Sequence, residues 1–428
     1  MKKEDLPHLN PPYSEKYSWY VLFVLTGVYT FNFIDRRILA ILQEPIKMEL
    51  GLSDTQLGLL TGFAFAIFYV SLGIPIARWA DRSNRKNIIA LCMSIWSIMT
   101  AISGLVANYF QLILARIGVG IGEAGGSPPA HSIISDYFPP EKRATALSIY
   151  SIGIYIGIFL GFVVGGVVAK HYGWRVAFFV CGIPGVVYAL LVYYTVKEPI
   201  KGITDKTNTP TEELAFIEVL KYLLSKKTFV FLAFASGLHT FASYGIGNFM
   251  PPFLMRIHHM EISEVGLWLG VTTGVGGALG TVLGGSMADR LRKKDMRWYI
   301  WISALAGALN FIPSYFAFFS ENVSVVIIGA LGFAFLTAVF IGPTIAVTHS
   351  LVNAKMRAFS SAILFFVMNL IGLGMGPLCI GLLSDYLSVS LGEESLRWAF
   401  TITFFTGGLS ILLFYLASKN YLKDLSEN

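Results

Sequence analysis

The stretch GIPIARWADRSNRK (residues 73–86) recurs in shortened form as GGSMADRLRKK (residues 284–294). Each copy places an Asp-Arg pair and further basic residues directly after a long apolar segment, and Asp289 follows Asp81 by 208 residues. Two later pairs of segments also match: EKRATALS (141–148) with AKMRAFSS (354–361), and GWRVAF (173–178) with LRWAF (396–400). The chain therefore contains two similar halves in the same chain direction.

The composition indicates a protein that crosses a membrane several times. Of 428 residues, 55% are hydrophobic and only 14% are charged, whereas soluble proteins carry about 25% charged residues. The net charge is +6, but the basic residues form short clusters between apolar segments, which is typical of membrane loops and excludes a nucleic-acid groove. Cys92, Cys181 and Cys379 lie in separate apolar segments, so we expect no disulfide framework, metal site or cofactor.

Twelve segments reach the length of about 20 apolar residues that a spanning helix needs. They are residues 18–42, 56–80, 87–107, 109–134, 144–169, 174–196, 227–255, 264–288, 298–319, 322–350, 357–384 and 396–418. The predicted fold is an all-α membrane protein with two six-helix bundles. Its parts are a tail (1–17), a first bundle (18–196), a linker (197–226) with a surface helix at 211–222, a second bundle (227–418) and a tail (419–428).

The distribution of lysine and arginine predicts the orientation. The loops on the side of the termini hold most of these residues, so both termini are expected in the cytoplasm of a cell whose inner membrane the chain spans.

The loop around Asp81, its position after the second segment and its second copy resemble the major facilitator superfamily. Within it, the first half resembles the Spinster family in NFIDRRILA (32–40), LGLSDTQLGLLTGFAFAIFYV (50–70), RIGVGIGEAGGSPPAHSIISDYFPPEKRATALSIY (116–150) and GWRVAFFVCGIPG (173–185). The resemblance implies alternating access and a proton-coupled carrier of amphiphiles, since family members are associated with sphingosine phosphate and lysophospholipids. It also implies that Asp35, Arg36 and Glu123 take part in coupling.

Charged side chains inside the apolar segments mark the candidate coupling site. Asn32, Asp35 and Arg36 are spaced i, i+3 and i+4 and share one face of the first helix. Arg116 and Glu123 lie about two turns apart on one face of the fourth helix. We predict that Asp35 pairs with Arg116 or Arg36, and that Glu123 is less neutralised and loads the proton. The alternative is a buried ion-pair network that only holds the helices together.

Arg37 lies off the face shared by Asn32 and Asp35, from which its long side chain can snorkel to the membrane surface. Aligning the halves places uncharged residues opposite Asp35, Arg36, Arg116 and Glu123, namely Ser243, Tyr244, Ala330 and Thr337. Coupling is therefore expected in the first half.

Polar and aromatic residues on the helices predicted to face the centre form the candidate substrate site. They are Asn32, Phe33, Arg36, Tyr69, Ser127, His239, Thr240, Tyr244, Asn248, Thr337, Thr344 and Asn369. The alternative is that the polar members only form hydrogen bonds between helices.

The two Asp-Arg loops form a candidate cytoplasmic gate that holds the halves together in the outward-open state. Its residues are Gly73, Asp81, Arg82, Arg85, Lys86, Asp289 and Arg290. The alternative is that these charges only set the topology.

The sequence thus predicts a monomeric proton-coupled secondary transporter, surrounded by membrane lipid, for a small amphiphilic or anionic substrate of lysophospholipid or sphingosine-phosphate type. A small organic anion, a sugar or a drug is the alternative substrate, and an uncoupled flippase or a membrane sensor is the alternative class. No nucleophile motif indicates an enzyme. The pattern Gly120-x-Gly122-x-x-Gly125 lies inside an apolar span without a preceding strand, which favours close helix packing over nucleotide binding.

Overall fold

The computed structural model describes residues 13–201, 216–353 and 356–426. The predicted tails and linker lie partly outside these ranges. We number the spanning helices in chain order: α1 (Glu15–Leu50), α2 (Asp54–Thr61 and Phe63–Arg82), α3 (Arg85–Ser103), α4 (Tyr109–Glu123 and Ser127–Tyr137), α5 (140–172), α6 (174–195), α7 (Lys227–Ile257), α8 (Ile262–Leu291), α9 (Trp298–Leu309 and Phe311–Phe319), α10 (Val323–Ala338 and Ile341–Ser350), α11 (Arg357–Met368, a π-helix Asn369–Met375, and Gly376–Leu391) and α12 (Ser395–Ala399 and Ile402–Ser426). A short helix, Phe216–Ser225, precedes α7 in the position of the predicted surface helix.

Twelve crossings agree with the sequence prediction. Among the described residues, nine segments are long and apolar enough to cross a membrane, and two of them, Pro140–Thr195 and Arg357–Ser426, contain 56 and 70 residues. At 1.5 Å per residue, 56 residues give about 84 Å of helix, enough for two crossings. The broken helix α4 supplies the remaining crossing.

Gly173 explains how one continuous helical segment forms two crossings. Its φ of 83° and ψ of 164° are non-helical and reverse the chain between α5 and α6. A residue with a Cβ is strained at this φ. The sequence predicted separate helices here, and the glycine turn is the physical reason that they are separate.

Several helices are interrupted inside the membrane, and these breaks position the site. α4 ends its first part at Glu123, and Pro128 and Pro129 start a second part after a glycine pair. α10 is interrupted at the equivalent place, just after Thr337. α11 contains the π-helix around Asn369. Discontinuous helices and π-bulges often occur at transporter binding sites because they free backbone groups and redirect side chains.

The two bundles meet mainly along two helix pairs, with further contacts between α1 and α7. Helix α2 packs against α11, and α5 packs against α8. At Gly166 and Gly266 the backbones approach so closely that a Cβ on Gly266 would lie 2.4 Å from the carbonyl oxygen of Phe162. We call the end that carries Glu15 and Asp424 the terminal face, and the end that carries Gly51 and Gly392 the opposite face.

The first helix is longer than the sequence indicated. We expected it to end near residue 42, but it continues through Pro45 to Leu50 and ends at Gly51, whose φ is 64°. Left-handed glycine is a common helix C-cap because it lacks a Cβ. The added turns carry Glu44 and Lys47 onto the opposite face, where both form ion pairs.

Candidate functional site

A buried ion pair joins α1 to the break in α4. Arg36 Nε donates to Glu123 Oε2 at 2.5 Å, and the side chains of Arg36 and Glu123 are 13% and 0% exposed. The Arg36 guanidinium also lies over the rings of Phe33, Phe65 and Tyr69, at 5.2, 5.1 and 4.7 Å from their centroids. Charge pairing and cation–π contacts therefore hold this arginine in place.

The predicted pairing of Asp35 with an arginine is wrong. Asp35 is fully buried. Its carboxylate oxygens accept no hydrogen bond from the described residues, although Thr100 and Arg116 are polar neighbours. Arg116 instead donates from Nη1 to the Asp35 backbone carbonyl oxygen at 3.4 Å. Successive helical residues project about 100° apart, so Arg36 faces Glu123 while Asp35 turns into the first bundle. Asp35, and not Glu123, is the acid without an arginine partner.

The main cavity lies between the bundles and has a volume of about 300 Å³. Ligand sites typically begin at this size. Five predicted substrate residues line it: Phe33, Thr240, Tyr244, Thr337 and Asn369. Polar residues that the sequence reasoning missed also line it: Arg37, Tyr155, Ser243, Thr273 and Thr281. Thr273, Gly277 and Thr281 recur every four residues along α8, and this spacing was a signal that they share a face.

Arg37 was expected to snorkel outward, and this is wrong. Its Cβ packs beneath Gly161 on α5, and its Nη1 lies 3.5 Å from the position of a Cβ on Gly247 of α7. This face of α1 contacts protein from both bundles instead of lipid. The guanidinium consequently points into the cavity, 5.8 Å from the centroid of Phe162.

The other predicted substrate residues do not line the main cavity: Asn32, Arg36, Tyr69, Ser127, His239, Asn248 and Thr344. His239 Nε2 lies 3.0 Å from the Thr337 carbonyl oxygen, and its ring lies 4.3 Å from that of Phe340. Thr344 is fully buried. Arg36 and Asn248 line a separate cavity of about 20 Å³. For His239, the alternative of an interhelical hydrogen bond matches the geometry.

A set of ion pairs closes the opposite face. Arg256 of α7 donates to Glu44 at 2.7 Å and to both carboxylate oxygens of Asp54 at 2.7 and 2.8 Å. Lys47 also bonds Asp54 at 2.6 Å. The Asp54 side chain is 3% exposed and that of Arg256 is 12% exposed. These contacts link the two bundles through a mostly buried, bidentate pair, the strong form of ion pair.

Asp385 strengthens this closure by capping a helix of the other bundle. Its carboxylate accepts the backbone N–H groups of Asp54 and Thr55 at 3.0 and 2.7 Å, at the start of α2. Ser384 also donates to Asp54 at 2.7 Å. An acid at a helix N-terminus satisfies unpaired N–H groups and interacts favourably with the helix dipole.

On the terminal face, the described gate residues bond only within their own bundle or to the linker. Arg85 is 1% exposed and bonds Asp136 at 2.5 Å and Glu198 at 2.7 Å. The Lys86 backbone also donates to Glu198, at 3.0 Å. Asp289 accepts from Tyr299 at 2.7 Å. Gly73, Arg82 and Arg290 form no hydrogen bond or ion pair with described residues of the other bundle, and the side chain of Asp81 lies outside the described residues.

For the residues that the structure describes, hydrogen bonds between the bundles extend from the opposite face only to the middle of the membrane. Within the described ranges, the one nearest the terminal face joins the Tyr155 and Thr281 hydroxyl groups. Every other described hydrogen bond or ion pair between the bundles lies at the opposite face. The structure is closed at the opposite face, whereas no polar contact among the described residues seals the cavity at the terminal face.

Gly120, Gly122 and Gly125 serve close helix packing, as the sequence predicted. A Cβ on Gly122 would lie 2.7 Å from the backbone nitrogen of Trp96 on α3. This part of α4 therefore packs directly against α3.

Comparisons with known proteins place the chain among membrane carriers. The family model described as Major Facilitator Superfamily matches residues 25–240 and 232–426. An "MFS-type efflux pump" of Mycolicibacterium smegmatis is 35% identical over 96% of this chain and 95% of its own length. The "Sphingosine-1-phosphate transporter SPNS2" of Danio rerio is 28% identical over 94% of this chain and 84% of its own length.

A solved structure matches the fold closely. It is a bacterial homologue of the human lysosomal transporter Spinster in an inward-facing, unoccupied conformation. It superimposes with a TM-score of 0.89 at 33% identity and covers 96% of this chain and 99% of its own. The occupied inward-facing form of that protein gives a TM-score of 0.85.

Proposed function

The chain belongs to the Spinster family of the major facilitator superfamily, and we propose that it is a proton-coupled transporter of an amphiphilic or anionic substrate that works by alternating access. It is a multi-pass membrane transporter and not an enzyme. The observation that carries the proposal is the buried Arg36–Glu123 pair beside the cavity, at the break in α4.

The pair supports coupling because protonation and anion binding compete for one arginine. While Glu123 is ionised, it occupies Arg36. A proton on Glu123 removes the charge that Arg36 is paired with, and the arginine becomes available to an anionic group in the cavity. Asp35, the second buried acid, assists proton transfer from inside the first bundle. A proton that moves along the membrane potential supplies about 2.3 kcal/mol per 100 mV.

The arrangement of contacts between the bundles supports alternating access. The ion pairs of Arg256 with Glu44 and Asp54 close the opposite face, while the terminal face lacks such contacts in the described residues. We propose that the terminal face is cytoplasmic, in line with its lysine and arginine residues. The gate residues Arg82 and Asp289 then close this face after the opposite face opens.

The cavity supports an amphiphilic substrate more than a sugar. Its lining consists mostly of rings and aliphatic groups, beside seven hydroxyl groups, one amide and one cation. This apolar majority suits a substrate with a large apolar part better than it suits a sugar. The relative named as a sphingosine-1-phosphate transporter supports a lipid-like anion. Because another relative is named as an efflux pump, a small organic anion or a drug is the second candidate for the substrate.

The test measures proton flux in liposomes that contain the purified protein and an internal pH-sensitive dye. Lysophospholipid, sphingosine phosphate and a panel of small anions are added under an imposed pH gradient. We expect substrate-dependent proton flux in the wild type and its loss in Glu123→Gln. Glu15→Gln, which removes an acid at an exposed ion pair, is the matched control and should keep the flux. If substrate transport is unchanged by the pH gradient and by Glu123→Gln, the protein is instead an uncoupled flippase.

A further inference from the structure

The cavity holds a cation that the proposed mechanism does not use. Arg37 lines the main cavity. It donates no hydrogen bond to the described residues, and its Nε is buried without a partner. Buried arginine groups are normally paired or hydrogen-bonded because an uncompensated charge is costly. Its immediate neighbour Arg36, by contrast, is paired with Glu123.

No acid compensates Arg37 within the cavity. The described residues that line the 300 Å³ cavity include no Asp or Glu, and Arg37 is their only charged member. The nearby buried cluster of Asp35, Arg36, Arg37, Arg116 and Glu123 holds three guanidinium groups and two carboxyl groups. It therefore keeps a formal excess of one positive charge even when both acids are ionised.

Arg37 also stands where two cavities meet. Phe33, Arg37 and Tyr244 line both the main cavity and the cavity of about 20 Å³. Three arginines, Arg36, Arg37 and Arg116, line the smaller cavity, and its described lining includes no acid. Tyr244 and Asn248 add polar groups to its wall. A converging set of cations without acids is complementary to an anion.

We propose that Arg37 binds the anionic head group of the substrate, and that the apolar part of the substrate occupies the main cavity. This inference rests on the proposed transport function and names its substrate class, an anionic amphiphile. Arg37 holds the anion before the Arg36–Glu123 pair opens, and Arg36 joins it once Glu123 is protonated. Cationic drugs are disfavoured, because no acid among the described residues lines the cavity to bind them.

The test measures binding to the full-length protein in a maltoside detergent by tryptophan fluorescence. The probes share one acyl length: laurate and lauryl phosphate carry an anion, monolaurin is neutral and dodecylamine is cationic. We expect the wild type to prefer the two anions, and their comparison tells a carboxylate from a phosphate site. Arg37→Gln should weaken both anions by about tenfold or more and leave monolaurin unchanged.

Two further variants make the result specific. Arg37→Lys keeps the charge but loses the planar fork, so it should retain part of the anion preference. Arg357→Gln removes an exposed arginine at the start of α11 and should bind all probes as the wild type does. Thermal unfolding of each variant identifies any that has failed to fold. If Arg37→Gln fails to fold, Arg37→Lys is compared with the wild type instead.

Other outcomes overturn the inference. A wild type that does not prefer the anions, an Arg37→Gln protein that still prefers them, or equal losses for anions and monolaurin would each show that Arg37 is no head-group ligand. The two proposals can also fail separately. If Glu123→Gln retains proton flux while Arg37→Gln loses the anion preference, the coupling mechanism is wrong and the Arg37 binding site is supported.

Discussion

Arg36 Nε lies 2.5 Å from Glu123 Oε2, and three aromatic rings within 5.2 Å surround the same guanidinium. The neighbouring Asp35 is more deeply buried than Arg36 and has no ion pair in the described structure. The adjacent charged residues of α1 therefore differ in their contacts. Arg36 is held in an ion pair, whereas Asp35 and the cavity-facing Arg37 have no ion-pair partner among the described residues.

The Arg36–Glu123 pair predicts strong coupling in a double-mutant cycle. Glu123→Gln leaves an arginine buried that cannot lose its proton, and breaking a buried pair in this way costs about 3–5 kcal/mol. The double variant Arg36→Gln/Glu123→Gln removes both charges of the pair, so it should unfold at a higher temperature than Glu123→Gln alone. Thermal unfolding in detergent, followed by tryptophan fluorescence, measures this difference.

An exposed pair provides the control for that cycle. Lys142 and Glu15 form an ion pair with side chains 54% and 67% exposed, and exposed pairs are worth about 0–1 kcal/mol. The same cycle on Lys142 and Glu15 should give a much smaller coupling. Additive losses at Arg36 and Glu123 would contradict the pairing.

Asp35→Asn should not destabilise the protein as Glu123→Gln does. Asp35 forms no ion pair, so its neutralisation leaves no arginine newly unpaired. We expect an unfolding temperature near that of the wild type but reduced transport under a pH gradient. Unfolding and liposome transport on the same preparation test both parts. A fall in unfolding temperature as large as that of Glu123→Gln would show that Asp35 is a paired structural residue.

Weakening the ion pairs of Arg256 should open the opposite face. Arg256→Gln removes the bonds to Glu44 and Asp54, so the bundles should separate there in a larger fraction of molecules. Spin labels at Met48 and Val389, which are 78% and 93% exposed, report this distance by double electron–electron resonance. We expect a new population at longer distance, in a background without the native cysteines.

Lys170→Gln is the matched control for Arg256→Gln. Lys170 also pairs across the bundles, with Glu261, but both side chains are substantially exposed, at 40% and 59%. Because exposed pairs contribute little, the distance distribution should stay as in the wild type. Equal shifts in both variants would show that burial of the Arg256 pair is not what closes this face.

Arg85 should act as a structural anchor of the first bundle. It bonds Asp136, Ser132, Glu198 and the Pro199 carbonyl oxygen from a buried position. Lysine cannot reproduce this fork of donors, so Arg85→Lys should lower the unfolding temperature by several degrees. Lys86→Gln, at a half-buried neighbour, should have a smaller effect. A stable Arg85→Lys protein with altered transport would instead favour the predicted gate role.

The sequence was sufficient for the helices and for the location of the charges. Apolar length predicted the twelve crossings, and the repeated Asp-Arg loops predicted the two similar halves. The sequence also predicted that Arg36 and Glu123 belong to one coupling site. The pairing itself was mispredicted, because a rotation of one residue on α1 decides whether Asp35 or Arg36 faces Glu123.

Contacts between distant segments were beyond sequence reasoning. Asp385 caps α2 across 331 residues of chain, and Arg256 reaches Asp54 across 202 residues. Neither contact follows from helical periodicity, since both depend on how the bundles meet. The inward direction of Arg37 was missed for the same reason, because α5 and α7 cover the face of α1 that was assigned to lipid.

The central claim is that Glu123 takes up a proton when an anion occupies the cavity. The most direct measurement is proton uptake by purified protein in weakly buffered detergent solution after addition of an anionic amphiphile that binds. We predict uptake by the wild type and none by Glu123→Gln, although that variant still binds the anion. Equal uptake by both proteins would contradict the account, since the proton would then bind elsewhere.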